Sequence, residues 1–266
     1  MFYLTVGAIF RNENSWLDEW IRYHRAVGVE RFYLYCDEVD SRVSDRILRP
    51  YEEKQIVELV HVRDMEHLDQ KATVWRHKDI VCDVLKKTRS LSQWLALVDL
   101  DEFILPRRCD DLRELLENYE SESALAVNWN IFGTGGYVKR PPTQINHLLH
   151  RAKGDFSSHH FVKSIVRPEK VQMERVDNVH YFPTHEGRTV DERGETVRGM
   201  RHTISTECVR INHYATRSWQ DLWEVKAVRA RSSGADRIDE QYFDRLDRNE
   251  VFDDEIARRF GHIPQF

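Results

Sequence analysis

The segment Trp94-Leu95-Ala96-Leu97-Val98-Asp99-Leu100-Asp101-Glu102-Phe103 carries the clearest chemistry in the chain. Its first five residues are mostly apolar and read as a buried strand, and that strand ends abruptly in two carboxylates spaced i, i+2. Core packing does not ask for such an ending. Carboxylate oxygens are hard ligands suited to Mg²⁺ or Mn²⁺. In an open α/β sheet, ligands bind at the carboxyl ends of strands. A divalent ion held there neutralises a diphosphate of the kind a nucleotide-sugar carries. A lone D-x-D also has a plainer reading, in which Asp99 caps a turn and Asp101 is solvated. The thirteen histidines, His159-His160 among them, form no H-E-x-x-H or comparable metal spacing.

The elements that must position these carboxylates follow from periodicity. Phe2 to Phe10 predicts a first strand, followed by the polar loop Arg11-Asn12-Glu13-Asn14. Ser15 is placed to cap a helix, with Asp18 three residues on. Leu17, Trp20, Ile21, His24 and Val27 fall on one face of that helix, and Gly28 supplies a left-handed stop. Arg31 to Cys36 predicts a second strand ending in Asp37-Glu38-Val39-Asp40-Ser41, and Ile56 to His61 a third. Gln70 to Thr88 has helical spacing. Trp94 to Val98 is the fourth strand, Asp110 to Tyr119 a helix capped by Asp110, and Ala124 to Trp129 a fifth strand. Such alternation predicts a mostly parallel sheet with helices on both faces. Asn12-Glu13, Asp37 and Asp99/Asp101 then share one edge of that sheet.

Beyond about residue 130 the chain becomes loop-rich, with Gly133-Thr134-Gly135-Gly136 and Pro141-Pro142. Lys163 to Arg167, Val176 to Phe182 and Cys208 to Tyr214 predict three more strands. Thr184 to Thr203 is polar and glycine-punctuated and reads as a mobile or partly disordered loop. A helix from Ser218 carries Trp219, Leu222, Trp223 and Lys226, its aromatic stripe reading as a packing surface. A charged helical tail covers Asn249 to Phe260. The expected division is a main domain over 1–215 and a helical extension over 216–266.

Composition excludes several classes. The chain has 266 residues, 41% of them hydrophobic and 32% charged, which describes a globular protein with a sizeable core. The net charge of -5 argues against a nucleic-acid binder. The apolar run Phe2 to Phe10 is too short to span a membrane, has no basic leader and runs into Arg11-Asn12-Glu13, so neither a transmembrane segment nor a signal peptide is expected. Cys36, Cys82, Cys109 and Cys208 are scattered and form no C-x-x-C pair, which fits a reducing cytoplasm. The charged tail leaves peripheral contact with a membrane surface open.

The ordered series Ala8-Ile9-Phe10-Arg11-Asn12-Glu13, Glu19-Trp20-Ile21-Arg22-Tyr23-His24, Gly28-Val29, Phe32-Tyr33-Leu34-Tyr35, Val98-Asp99-Leu100-Asp101-Glu102-Phe103-Ile104, Asn128-Trp129-x-x-Phe132-Gly133, Lys163-Ser164-Ile165-Val166-Arg167-Pro168 and Ile211-Asn212-His213-Tyr214 spans residues 8 to about 231. It resembles GT-A glycosyltransferases, and more closely the family 2-like and family 92 enzymes. The resemblance implies a GT-A type α/β fold: a twisted, mostly parallel sheet flanked by helices, with a loop-rich acceptor half and C-terminal helices. It implies a metal-dependent glycosyltransferase, a hexosyltransferase, taking a nucleotide-sugar (UDP by the commonest pattern) to a carbohydrate or glycolipid acceptor with inversion, in surface polysaccharide biosynthesis. Asp99, Asp101 and His213 would hold Mn²⁺ or Mg²⁺, the imidazole favouring manganese. Asn12, Glu13 and Asp37 would meet the nucleoside, and Lys71, Lys163 and Arg167 the diphosphate. Gly133 to Gly136 is looser than the family's Gly-Ser-Ser-Gly.

Inversion requires a general base within reach of the acceptor hydroxyl. Asp155, Asp177, Glu186 and Asp191 are the candidates in the loop-rich half, with Glu186 and Asp191 preferred. Two other readings compete. A haloacid-dehalogenase-like phosphatase would use Asp99 as nucleophile and Asp101 as acid/base, although Phe103 stands where that motif carries Thr or Val. A non-catalytic sugar-binding relative would keep the donor site without turnover.

Overall fold

The computed structural model describes residues 1–65, 73–232 and 238–263. Eleven strands are seen among them: β1 Phe2–Phe10, β2 Arg31–Cys36, β3 Val57–His61, β4 Ser92–Leu97, β5 Glu102–Pro106, β6 Ala124–Ile131, β7 His150–Arg151, β8 Val162–Val166, β9 Thr189–Val190, β10 Val209–His213 and β11 Val251–Phe252. The helices are α1 Leu17–Ala26, α2 Arg42–Glu53, α3 Thr73–Thr88, α4 Leu112–Leu116, α5 Trp219–Asp221, α6 Ala227–Ser232, α7 Glu240–Leu246 and α8 Glu255–Phe260. A π-helical turn, Leu222–Lys226, joins α5 to α6.

One sheet runs in the order β3-β2-β1-β4-β8-β6-β10-β5, with β9 alongside β6. The four strands β3-β2-β1-β4 are mutually parallel, as alternating strands and helices require. β8 is antiparallel to both β4 and β6, so β4 and β6 point the same way. The result is the mixed, mostly parallel sheet flanked by helices expected of a GT-A type α/β fold. Strands β1 and β4 are apolar nearly throughout because both of their faces are covered, with Leu4, Val6, Trp94 and Ala96 in one apolar cluster and Leu95 and Leu97 in another. Gly28 takes φ +101 after α1, and a Cβ there would strike the Asp111 carboxylate at 2.1 Å, so the turn requires glycine. Among the described residues, no helix is long and apolar enough to cross a membrane.

Several elements differ from the expectation. Val176 to Phe182 forms no strand, because Asn178 Oδ1 accepts hydrogen bonds from the backbone N–H groups of His180 (2.8 Å) and Tyr181 (2.9 Å) and closes a local turn instead. Thr184 to Thr203 is packed: β9 pairs with β6, and Val190 and Val197 are buried. The tail is split, with β11 pairing to β7 before α8 begins. Ser15 does not cap α1; its hydroxyl accepts from Arg140 at 2.7 Å and Trp16 takes the cap position. Asp111, not Asp110, caps α4, accepting from the Arg113 N–H at 2.8 Å. Helix α2 and strand β5 had no counterpart in the periodicity.

Candidate active site

The carboxylate pair stands in the turn that leaves β4 and enters β5. Asp99 C=O accepts from Glu102 N–H at 2.9 Å, and Leu100, 2% exposed, anchors the turn in the core. Helix α1 fixes where β5 begins. Trp20 Nε1 donates to Glu102 C=O (2.9 Å), the Tyr23 hydroxyl donates to Ile104 C=O (2.9 Å), and His24 Nε2 accepts from Ile104 N–H (3.4 Å). Spaced i, i+3, i+4, these side chains lie on one helix face. The same residues that read as a core stripe therefore also clamp the backbone beside the carboxylates.

Two lysines neutralise the turn. Lys163, at the second residue of β8, donates to Asp99 Oδ2 (2.9 Å) and lies 3.2 Å from Glu102 Oε2, while Glu102 Oε2 also accepts from Asp99 N–H (2.8 Å). Lys226, the last residue of the π-helical turn, pairs with Asp101 Oδ2 and donates to Ala215 C=O at 2.5 Å. His213 Nε2 stands 3.5 Å from the same Asp101 oxygen. Desolvation opposes ionisation of both aspartates, but Lys163 holds Asp99 below the ordinary carboxylate range, and Lys226 with His213 hold Asp101 well below it. Glu102 goes the other way: burial pushes it up to about 7 against the pull of Lys163. Burial alone would lower Lys163, yet Asp99 and Glu102 raise it above the usual lysine value.

A second ionic cluster adjoins the first. Glu13, 3% exposed, has one oxygen on Arg217 Nη1 and the other 2.6 Å from Arg229 Nη1. Arg217 is fully buried, adopts φ +54, and donates through Nε to Gln144 Oε1 at 2.8 Å. A non-glycine residue in that region is held there by its surroundings. Glu38 joins the ends of β1 and β2 by accepting from Asn12 N–H at 3.1 Å, and Asp37 lies 3.6 Å from Arg11. An apolar notch lined by Ala8, Ile9, Ile80, Val98 and Val179 opens beside Asp99 and Lys163.

The structure thus brings Glu13, Asp99, Asp101, Lys163 and His213 together, with Asn12 and Asp37 at the neighbouring strand ends. Arg167 lies elsewhere. Val166 pairs with Leu95, so Arg167 is level with Trp94, over whose ring it packs at 5.1 Å. Five residues of strand separate that level from Asp99, roughly 16 Å. Glu186 is at that far edge too, its C=O accepting from the Ser123 hydroxyl and its carboxylate 72% exposed, 3.5 Å from Lys170. Asp191 follows β9, across β8 and β6 from β4, and is 1% exposed. Its carboxylate accepts from the N–H groups of Arg193 and Glu195 (both 2.9 Å) and pairs with the Arg193 guanidinium. Asp191, Glu195 and His202 bring ligand atoms within 4.8 Å of one another, but Arg193 already fills the Asp191 carboxylate. Lys71 lies outside the described residues. The Gly133–Gly136 loop is tied down: Thr134 and Gly135 N–H groups donate to Asp247 (2.6 Å) and Asn249 (2.7 Å).

Sequence reasoning passed over Lys226, Arg217 and Arg229, and treated Glu102 only as part of a motif. Lys226 and Arg229 are i, i+3 on one helical segment, a spacing visible in the sequence, but Lys226 reads there only as part of the helix that carries the Trp219/Leu222/Trp223 packing stripe, with no site role. The donor set at the end of β4 fits a hard divalent ion. Asp101 and His213 face each other at 3.5 Å beside Asp99, although these three do not bring their ligand atoms within 4.8 Å of one another, and buried Glu102 Oε1 and His213 Nδ1 have no hydrogen-bond partner among the described residues.

Comparison with known proteins identifies a family. The model of glycosyltransferase family 92 matches residues 2–249. A family 92 protein of Oryza sativa subsp. japonica is 24% identical over 252 residues, covering 92% of this chain and 38% of the relative. One from Ricinus communis is 25% identical over 263 residues, covering 92% and 41%. The chain thus spans about two fifths of the length of these relatives. Among solved structures, the Staphylococcus aureus TarS fragment 1–349 is similar with a TM-score of 0.41 at 14% identity, covering 92% of this chain and 69% of that one. Mouse xyloside xylosyltransferase 1 gives 0.33 at 12% identity, covering 63% and 67%.

Proposed function

The chain belongs to glycosyltransferase family 92, and on that premise we propose that it moves a hexose from a nucleoside-diphosphate sugar, foremost a UDP-sugar, to a hydroxyl of a carbohydrate or glycolipid, with inversion at the anomeric carbon. The observation that carries this reading is the charge balance at the end of β4. Asp99 and Asp101 each pair there with a lysine, Lys163 and Lys226, Glu13 pairs with Arg217 and Arg229, and buried Glu102, raised to about 7, shares Lys163. Because these cations are already engaged by carboxylates, a diphosphate entering the site needs further positive charge to arrive with it.

Asp99, Asp101 and His213 are the residues that would hold a divalent ion, Mn²⁺ ahead of Mg²⁺. When bound, that ion supplies Lewis-acid stabilisation of the departing diphosphate. Lys163 keeps Asp99 and Glu102 in register. Asp37 and Asn12, at the neighbouring strand ends, would accept and donate hydrogen bonds to the nucleoside, and Glu13 would serve it through the two arginines it holds. Residues 1–215 form the catalytic domain in this reading, and 216–266 an extension that contributes Lys226 and Arg229 to the site. The four cysteines are free, which supports a cytoplasmic setting. The family match supports no phosphatase role for Asp99 and Asp101.

The test is a thermal-shift panel of nucleoside diphosphates and nucleotide-sugars, each with and without Mn²⁺. Ligand at 100 times its Kd adds about 2.7 kcal/mol to the folded state. One nucleotide should raise the melting temperature selectively and only with Mn²⁺. A flat panel in the presence of Mn²⁺ overturns the proposal.

A further inference from the structure

Lys226 is not an ordinary buried lysine. Only 3% exposed, it places its ammonium against Asp101 Oδ2, the oxygen that also faces His213 Nε2 at 3.5 Å. An ion bound between His213 Nε2 and the Asp101 oxygen that faces it would take that oxygen. Two cations cannot share one carboxylate oxygen at contact distance without strong repulsion. Metal and ammonium are therefore competitors for Asp101.

The carrier of Lys226 is suited to yielding. It ends the π-helical turn Leu222–Lys226 between α5 and α6, and π turns recur at functional sites. The side chain is a flexible four-carbon stem with a point charge, able to swing without moving the backbone far. Ala215 C=O accepts a second hydrogen bond from the ammonium, so the lysine has an anchor apart from Asp101. Arg229 stands three residues further on and pairs with Glu13, so Lys226 and Arg229 both face the carboxylates.

We propose that Lys226 is a resident counter-cation that holds Asp101 in place, surrenders it to the divalent ion, and is thereby delivered to the diphosphate that the ion brings. This rests on the metal-dependent reading above. It makes Lys226 a residue that both tunes metal affinity and binds the nucleotide, a role the sequence alone had assigned to Lys71, Lys163 and Arg167.

The experiment is a calorimetric titration of Mn²⁺ alone, and then of UDP at saturating Mn²⁺, into wild type, Lys226→Met and Lys226→Arg. Methionine keeps the stem and removes the charge. Lys226→Met should bind Mn²⁺ about tenfold more tightly than wild type, because a charged hydrogen bond no longer has to be broken, and should bind UDP about tenfold more weakly. Lys226→Arg should not gain Mn²⁺ affinity. Should Lys226→Met fail to fold, wild type alone decides. Acetylation of Lys226 by acetic anhydride, followed by mass spectrometry, should rise several-fold on adding Mn²⁺ and fall again on adding UDP. Equal Mn²⁺ affinity in wild type and Lys226→Met, or Lys226 labelling unmoved by Mn²⁺ that binds, overturns the handover alone. No Mn²⁺ binding to either protein overturns the metal reading with it.

Discussion

At the residue scale the account turns on Asp101, whose carboxylate is compensated by Lys226 and faced by His213. Replacing it would remove a proposed metal ligand and also strand a buried ammonium. Asp101→Asn should lose at least about a hundredfold in transfer activity. It should also lose about 3–5 kcal/mol of stability, because breaking a buried pair leaves its partner unpaired. The double variant Asp101→Asn/Lys226→Met separates the two effects. Denaturant unfolding should show most of the stability restored while activity stays lost. Activity recovered in the double variant would mean that Asp101 serves the fold and not the reaction. The pair Asp99/Asp101 was legible because carboxylates break an apolar run. Their partners were not. Lys226 is 125 residues from Asp101, and Arg217 and Arg229 are 204 and 216 residues from Glu13, distances at which no local pattern speaks.

At the element scale the site depends on how α1 holds β5. Trp20, Tyr23 and His24 all bond to the backbone of Glu102 or Ile104, so the helix that follows β1 sets the height of the strand that follows the carboxylates. Trp20→Phe replaces the indole by a smaller ring and removes the Nε1 donor, leaving Glu102 C=O without it in the core. It should destabilise the protein by about 1–3 kcal/mol, measured by urea unfolding. A change within error would show that the clamp is incidental. The periodicity that marked α1 as amphipathic was sound because burial and spacing agree. Strand β5 escaped notice because Glu102-Phe103-Ile104-Leu105-Pro106 starts directly after the carboxylates and ends in proline, with no turn residues to announce it. The 176–182 run errs the other way: it reads as a strand, but Asn178 diverts it into a turn.

At the scale of the whole molecule, buried neutral histidines tie stability to pH. His24 and His159 each donate through Nδ1 to a carbonyl, of Trp20 at 2.9 Å and of Gly154 at 3.4 Å, and accept through Nε2 from a strand N–H. Burial lowers His24 to about 3 and His159 to about 4. Such a group is neutral when folded and takes its proton only on unfolding, so its contribution is complete above about pH 6.5 and is lost as pH falls toward the folded value. Glu102, raised to about 7, works in the opposite sense, so the comparison must be between proteins. Between pH 6 and 4, wild type should lose stability relative to His24→Gln by about 1.4 kcal/mol per pH unit, one proton's worth. Parallel curves would contradict a neutral His24. The overall architecture was readable because alternating strands and helices leave few topologies for a parallel sheet. The return of the C-terminal segment to the carboxylates was not, since it depends on packing between distant parts of the chain.

The most direct test of the central claim is calorimetric titration of UDP into the protein with and without Mn²⁺, repeated with Asp101→Asn/Lys226→Met. The account predicts binding to wild type only when Mn²⁺ is present and none to the double variant. UDP binding of equal strength with and without Mn²⁺, unchanged by the substitutions, would contradict it.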